Sequence, residues 1–158
     1  MRIGFGYDVH RFAEGRPLVV GGIVLESDRG LDGHSDADVL LHAIADAVLG
    51  ALALGDIGSH FPDTDPKWEG ADSVELLREV VRLAREQGWG VTNVDSTLVM
   101  EAPKIRPYVD AMRARTADAL GVEVSRVSIK ATTSERMGFV GTGEGAAAYA
   151  VVLLHSVA

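Results

Sequence analysis

Three residues in the first third of the chain have the chemistry of a metal site. Asp8 and His10 lie two positions apart at the end of an alternating run, and His42 follows about thirty residues later. Period-two alternation predicts a strand that carries the first two side chains on one face. One carboxylate and two imidazoles are ligands that a catalytic zinc ion uses when its fourth position stays open. Asp8 and His10 alone would favour a solvent-exposed strand end.

His42 lies within a helical pattern that we expect to begin with Ser35 as its N-cap and to run to about Gly50. Asp38 and Asp46 are each one turn away. His42 is therefore either a surface histidine between two acids or a metal ligand whose second ring nitrogen is oriented by one of those aspartates. We favour the ligand, because the two strand residues need a third partner.

Three other features suit a phosphorylated substrate. Residues 55–66 are rich in Gly, Asp and Pro, which is typical of a lid or binding loop but equally of a mobile surface loop. Residues 132–135 place three hydroxyls and a carboxylate after a strand, which suits phosphate oxygens and a hard cation such as Mg²⁺. A plain Ser/Thr turn would look the same. His34 precedes the first helix, whose free N–H groups favour phosphate.

The composition is that of one globular domain covering residues 1–158, with 47% apolar and 24% charged residues. The net charge of −8 argues against a general nucleic-acid binder, and the lack of cysteine excludes thiolate chemistry. An anionic small substrate stays compatible with this charge if a metal ion supplies local positive charge. The amino terminus lacks a signal-peptide pattern, and no apolar run is long enough to cross a bilayer, so we expect a cytoplasmic protein without a membrane partner.

The order of predicted elements indicates an α+β sandwich. It comprises a mostly four-stranded sheet, a small hairpin at 17–25, and about three helices on one face. We expect the helix at 72–87 to be an outer helix without chemistry. The last strand, 146–154, is an unbroken apolar run and is predicted to be buried on both faces. Self-association is the simplest way to cover the second face.

Several motifs occur in order along the whole chain. They are Gly-Tyr-Asp-Val-His at 6–10, His-Ser-Asp-Ala-Asp-Val-Leu-Leu-His at 34–42, Leu-Gly-Asp-Ile-Gly at 54–58, Phe-Pro-Asp-Thr-Asp-Pro at 61–66, Ala-Pro-Lys at 102–104 and Lys-Ala-Thr-Thr-Ser-Glu at 130–135. With these motifs the chain closely resembles the 2-C-methyl-D-erythritol 2,4-cyclodiphosphate synthases, enzymes of the non-mevalonate isoprenoid pathway. A set of motifs in this order is far more specific than any one of them.

The resemblance implies a homotrimer whose sheets pack around a three-fold axis, with each active site between adjacent subunits. It implies Zn²⁺ on the three residues identified above, namely Asp8, His10 and His42. It also implies a second cation, Mg²⁺ or Mn²⁺, on Glu135. His34 and Thr133 match the positions assigned to transition-state stabilisation.

The resemblance also implies a set of substrate-binding residues. One group lies in the first half of the sequence: Asp8, His10, His34, Ser35, Asp56, Ile57, Gly58, Phe61, Pro62, Asp63, Thr64 and Asp65. The other lies in the second half: Met100, Ala102, Pro103, Lys104, Ile105, Arg106, Thr132, Thr133, Ser134, Glu135, Phe139 and Thr142. Thr142 stands where family members often have an arginine near the central axis, at which an isoprenoid diphosphate can be held, and threonine supplies no charge there.

The implied reaction converts 4-diphosphocytidyl-2-C-methyl-D-erythritol 2-phosphate into 2-C-methyl-D-erythritol 2,4-cyclodiphosphate and CMP, which makes the enzyme a phosphorus–oxygen lyase. An ionised phosphate is already a nucleophile, so this chemistry needs metal ligands and donors rather than a catalytic triad. Two alternatives remain from the residues alone. One is a zinc phosphohydrolase that activates water, and the other is a metal- or nucleotide-binding trimer without catalysis.

Overall fold

The computed structural model describes residues 1–157, and the predicted domain end at residue 158 lies outside the described residues. The strands are β1 (Arg2–Glu14), β2 (Leu18–Val20), β3 (Ile23–Leu25), β4 (Arg29–Leu31), β5 (Trp89–Val99), β6 (Val127–Thr132) and β7 (Gly145–Ser156). The helices are α1 (Val39–Ala51), α2 (Ile57–His60), α3 (Ser73–Glu86), α4 (Val109–Leu120) and α5 (Gly138–Gly141). Within residues 1–157 no helix is long and apolar enough to cross a membrane.

The main sheet has the strand order β4-β1-β7-β5-β6, and β2 and β3 form a separate hairpin. Among residues 1–157, β5 and β6 are the only neighbours in this sheet that pair in parallel, and the others are antiparallel. The predicted α+β class is confirmed. The sheet has five strands rather than the expected four, because β4 joins the edge beside β1. Its three residues are too few to show a periodic pattern.

Helix α1 lies against the middle of the sheet with almost no space between them. A Cβ added to Gly4 or Gly6 of β1 would lie 1.8 Å from the carbonyl oxygen of Ala47 or Ala43. Glycine is the residue that permits such a close backbone approach. The helix is lined here by alanines, so β1 and α1 are in direct backbone contact.

The helix ends follow capping chemistry, with one correction to the sequence prediction. Asp38, not Ser35, is the N-cap of α1, and its side chain accepts a hydrogen bond from the backbone N–H of Leu41. Asp38 is completely buried and also accepts from the backbone N–H groups of Gly21 and Gly22, at 3.0 and 2.7 Å. This carboxylate therefore links the β2–β3 turn to the start of α1, a long-range contact that hydrophobic periodicity does not report.

The last strand differs from its prediction in one respect. Residues 146, 148, 150, 152 and 154 of β7 are buried under the helices, but Tyr149 and Val151 are 42% and 41% exposed. The prediction that β7 is buried on both faces is wrong for the single chain, since no element of residues 1–157 covers the second face. Phe5 and Tyr7 of β1 share that face and are 62% and 42% exposed.

We expect the Gly6→Ala substitution to destabilise the fold by about 3 kcal/mol or more, because the new methyl group would overlap the backbone of α1. Gly50→Ala is the matched control. Gly50 is an exposed residue of the same helix, and a Cβ there meets only the oxygen of Phe5 at 3.8 Å. Alanine at position 50 should raise stability by about 0.5–1 kcal/mol. Urea unfolding of both variants measures this, and equal stability of Gly6→Ala and the parent would contradict it.

Candidate active site

The three predicted metal ligands meet at one point. Asp8 Oδ2 lies 2.8 Å from His10 Nε2 and 3.1 Å from His42 Nδ1, and the two ring nitrogens are 3.3 Å apart. A tetrahedral zinc ion with bonds of about 2.0–2.1 Å separates its donor atoms by about 3.3 Å. The donor set and its spacing therefore fit a divalent metal of this kind with one position open.

The sheet and α1 together position these donors. Asp8 and His10 project from the helix side of β1, opposite Ala148 and Ala146 of β7. The small alanines leave room beneath the helix, and the backbone contact between β1 and α1 brings His42 to the same point. Strand period two and the close helix approach are thus both required for the cluster.

The two histidines set the charge of Asp8. Burial would raise the pKa of Asp8, but the adjacent His10 and His42 rings outweigh it and lower the pKa to about 2. Burial would lower the pKa of His10, but the hydrogen bond and charge of Asp8 raise it above its usual value. His10 Nδ1–H donates to the carbonyl oxygen of Asp32 at 2.8 Å. A carbonyl only accepts, so Nε2 of His10 is the nitrogen that faces the cluster centre.

The second nitrogen of His42 has a different environment from the one predicted. Neither Asp38 nor Asp46 contacts it: the Asp38 carboxylate caps α1, and the Asp46 carboxylate accepts from the backbone N–H of Ile57 at 2.8 Å. His42 Nε2 instead lies 2.8 Å from Ser73 Oγ and 3.2 Å from Ser35 Oγ. Ser73 is the first residue of α3, so the helix that was expected to be an outer helix without chemistry contacts the cluster at its first residue.

The cluster lies in the wall of a cavity of about 360 Å³, a size typical of small-molecule sites. Its lining residues are Asp8, His10, Gly33, His34, Ser35, His42, Ile57, Gly58, Phe61, Asp63, Trp68 and Leu76. Sequence reasoning missed Gly33, Trp68 and Leu76. Trp68 stacks edge-on against Phe61 with ring centroids 4.9 Å apart, and its closeness to the Asp- and Pro-rich loop was the available signal.

The predicted loop residues divide into lining and supporting groups. Ile57, Gly58, Phe61 and Asp63 line the cavity, whereas Pro62, Thr64 and Asp65 belong to the same loop but do not line it. Asp56 caps the short helix α2 through Ser59 N, and the carboxylate of Asp65 caps the 3-10 turn Pro66–Trp68. His34 Nε2–H donates to the carbonyl oxygen of Asp65 at 3.1 Å, so the ring is attached to this loop.

Six of the twelve predicted residues from the second half of the sequence line a separate, smaller pocket. It is lined by Leu98, Met100, Pro103, Lys104, Ile105, Ala131, Thr132 and Thr133. Ala102 and Arg106 are exposed at its edge. Ser134 N donates to Glu101 Oε1 at 2.7 Å, and Glu135 is exposed. Glu135 adopts a left-handed backbone conformation with φ of 52°. No residue among 1–157 lines both this pocket and the metal-side cavity.

Phe139 and Thr142 lie in a third place, on or next to α5. Phe139 borders a groove with Tyr7, Val9 and His10, whereas Thr142 is exposed and donates its hydroxyl to the carbonyl oxygen of Phe139 at 3.3 Å. A single chain therefore does not bring all the predicted substrate-binding residues together. It forms two separate parts that open in different places. The metal half is the cavity beside Asp8, His10 and His42, and the second half is the pocket lined by Met100, Thr132 and Thr133.

The wall of the metal half is held by an arginine that sequence reasoning did not select. Arg16 Nη1 and Nη2 donate to the carbonyl oxygens of Gly33 and Ser35, at 3.0 and 2.8 Å. Hydrogen bonds from a charged donor are stronger than neutral ones. Arg16 thus fixes the segment that carries His34 and Ser35 into the cavity.

A protein-family model described as the YgbB family matches residues 1–155 of the chain. The chain belongs to this family. A relative from Symbiobacterium thermophilum, named 2-C-methyl-D-erythritol 2,4-cyclodiphosphate synthase, is 65% identical over 154 residues, which cover 98% of each protein. The resemblance inferred from the motifs is confirmed.

Solved structures of YgbB relatives agree with the fold. One described as 2C-methyl-D-erythritol-2,4-cyclodiphosphate synthase in a CDP-bound form has a TM-score of 0.90 and 39% identity, and the match covers 98% of this chain and all of that one. The bifunctional IspDF from Campylobacter jejuni has a TM-score of 0.95 and 42% identity over 98% of this chain. This chain spans 42% of that longer protein.

We expect Arg16→Ala to loosen the segment at 33–36. Loss of two charged hydrogen bonds should speed amide hydrogen exchange there at least about tenfold. Arg11→Ala is the control, because Arg11 pairs only with exposed Glu144 and such surface pairs contribute little. Hydrogen exchange of peptides covering 32–38 measures both variants. Unchanged exchange in Arg16→Ala would show that the segment is held by other contacts.

Proposed function

We propose that this chain converts 4-diphosphocytidyl-2-C-methyl-D-erythritol 2-phosphate into 2-C-methyl-D-erythritol 2,4-cyclodiphosphate and CMP, within the non-mevalonate isoprenoid pathway. The observation that carries the proposal is the cluster of Asp8, His10 and His42 at the wall of a ligand-sized cavity, in a chain of this family. The cluster offers metal donors to a phosphate, which is what an already ionised nucleophile requires.

The proposed zinc ligands are the three cluster residues, and a bound Zn²⁺ supplies positive charge to a phosphate oxygen. Glu135 is the proposed protein ligand of the second cation, Mg²⁺ or Mn²⁺. Its carboxylate is exposed and forms no ion pair within residues 1–157, so it is free to bind a hard cation.

His34 and Thr133 are the proposed stabilisers of the transition state. The His34 ring lies in the cavity wall and is oriented by its bond to Asp65. Thr133 Oγ1 accepts from the backbone N–H of Glu135 at 3.3 Å, which leaves the hydroxyl proton free for a phosphate oxygen. The remaining predicted residues position the methylerythritol, diphosphate and cytidine groups.

In the proposed reaction an oxygen of the 2-phosphate attacks the β-phosphorus of the diphosphate. The bond from that phosphorus to the bridging oxygen breaks, and CMP leaves with the electron pair. Attacking and leaving groups are both anionic, so the work of the protein is to hold cations and donors around them and to fold the substrate into a ring. Proton abstraction by a side chain is not needed.

We also propose that the active site forms between adjacent subunits of a homotrimer. Two observations support this. The metal half and the second half have no lining residue in common within residues 1–157. The open face of the sheet presents apolar side chains, with Ile3 71% and Phe5 62% exposed, and large exposed apolar patches mark interaction sites.

Incubation with the substrate and Mg²⁺ should yield CMP and the cyclic diphosphate in equal amounts, as identified by mass spectrometry. His42→Ala should lower turnover at least about a hundredfold, since the metal contributes several kcal/mol to charge stabilisation. His155→Ala, which removes an exposed histidine, should keep full turnover. CMP with an uncyclised diphosphate would instead indicate a phosphohydrolase. Turnover retained by metal-free Asp8→Ala would contradict the zinc role.

A charge on the open sheet face should dissociate the trimer. Phe5→Glu should change the mass in solution from about 50 kDa, three times the 16.8 kDa of one chain, toward that of one chain. Burying an unpaired carboxylate at an interface is unfavourable. Val24→Glu is the control, because Val24 is 65% exposed on the separate hairpin. Light scattering measures the mass, and a Phe5→Glu trimer would show that this face is not the interface.

A further inference from the structure

The outer nitrogen of His42 is buried against two hydroxyl groups. His42 is 8% exposed and Ser73 is 1% exposed, so neither polar group can rely on water. Ser73 Oγ is the nearer at 2.8 Å, and Ser35 Oγ is 3.2 Å away. Whether a hydroxyl group accepts a proton from Nε2 or donates one to it decides the tautomer of His42, and hence the state of its metal-facing nitrogen.

The hydroxyl proton of Ser73 is committed elsewhere. Ser73 Oγ donates to Asp36 Oδ1, and the backbone N–H of Ser73 donates to Asp36 Oδ2 at 3.0 Å. An ionised carboxylate only accepts, and a serine has one hydroxyl proton. Ser73 Oγ therefore presents a lone pair to His42, so that Nε2 must carry the ring proton.

Ser35 cannot impose the same choice. Its Oγ accepts from the backbone N–H of Ala37 at 3.2 Å, and its hydroxyl proton is free to rotate. It can donate to His42 or to a ligand in the cavity that it lines. Ser73 has no such freedom, because Asp36 holds both its hydroxyl and its backbone N–H.

The position of Asp36 is itself fixed from two sides. Its backbone N–H donates to the carbonyl oxygen of Ala71 at 3.1 Å, and its Oδ1 accepts from the N–H of Asp38 at 3.3 Å. Asp36 thus joins the segment before α1 to the first residue of α3. His42 extends from α1 into the corner between these two elements.

We propose that Asp36 and Ser73 act as a pair of positioning residues that hold His42 with its proton on Nε2, and thereby keep Nδ1 unprotonated toward a divalent cation bound by Asp8 and His10. This rests on the proposed metal site and adds to it the residues that prepare one ligand. Neither positioning residue contacts the cation. Their effect passes through the orientation and tautomer of the ring.

The test is zinc affinity, measured on the full-length protein by competition with a chromophoric chelator. Ser73→Ala should bind zinc about 10- to 100-fold more weakly, the range typical of lost support for a metal ligand. Asp36→Asn keeps the size of the side chain but can turn an amide N–H donor toward Ser73. We expect it to lower the zinc affinity by a similar factor. The double variant should be little weaker than either single variant, because both act on one hydrogen-bond chain.

Ser96→Ala is the matched control. Ser96 is 2% exposed and donates its hydroxyl to the carbonyl oxygen of Ser128 at 2.9 Å, so its loss removes an equally buried serine hydroxyl on β5, which β7 separates from the strand of Asp8 and His10. Its zinc affinity should stay within about twofold of the parent. Thermal unfolding of the zinc-free proteins reports any loss of fold, and Asp36→Asn remains a test if Ser73→Ala does not fold.

The outcomes separate the two proposals. A parent protein that binds zinc no better than Asp8→Ala would overturn the metal site. Tight zinc binding by the parent, with unchanged affinity in folded Ser73→Ala or Asp36→Asn, would overturn the positioning pair alone. Fully additive losses in the double variant would also overturn it, since independent effects would mean that Asp36 does not act through Ser73.

Discussion

The backbone contact between β1 and α1 is the constraint on which the site depends. Gly4 and Gly6 leave no side chain between the strand and the carbonyl groups of Ala47 and Ala43. If larger side chains held α1 away from β1, His42 would not reach the two donors of the strand. Two glycines in a strand reduce its stability because they lose more conformational entropy on folding than other residues. In β1 they are nevertheless required, because they allow a three-residue metal cluster to form from two elements.

Local patterns predicted the donors and the elements that carry them. Alternation placed Asp8 and His10 on one face of a strand, and helical spacing placed His42 on a second element. The cluster could be predicted from these positions because the two strand residues need a third ligand to hold a metal ion. The α+β class followed in the same way from the order of strands and helices. Such features depend on residues within a few positions of one another, and this is the range in which periodicity and capping carry information.

Contacts between distant segments were not predictable in this way. Arg16 reaches the carbonyl groups of Gly33 and Ser35, and Ser73 reaches His42 across thirty-one residues of sequence. Nothing in the local sequence distinguishes this serine from an ordinary helix start, nor this arginine from a surface charge. The orienting role was instead expected of Asp38 and Asp46, whose carboxylates are occupied by backbone amides.

The separation of the metal half from the second half has a genetic consequence under the proposed assembly. A chain damaged only in the cluster still lends an intact second half to its neighbour, and a chain damaged only near Thr133 still lends an intact cluster. In a trimer that contains both kinds of damaged chain, one subunit interface joins an intact cluster to an intact second half. Two inactive alleles could therefore complement each other when their chains are made together, whereas two lesions in one chain could not rescue themselves.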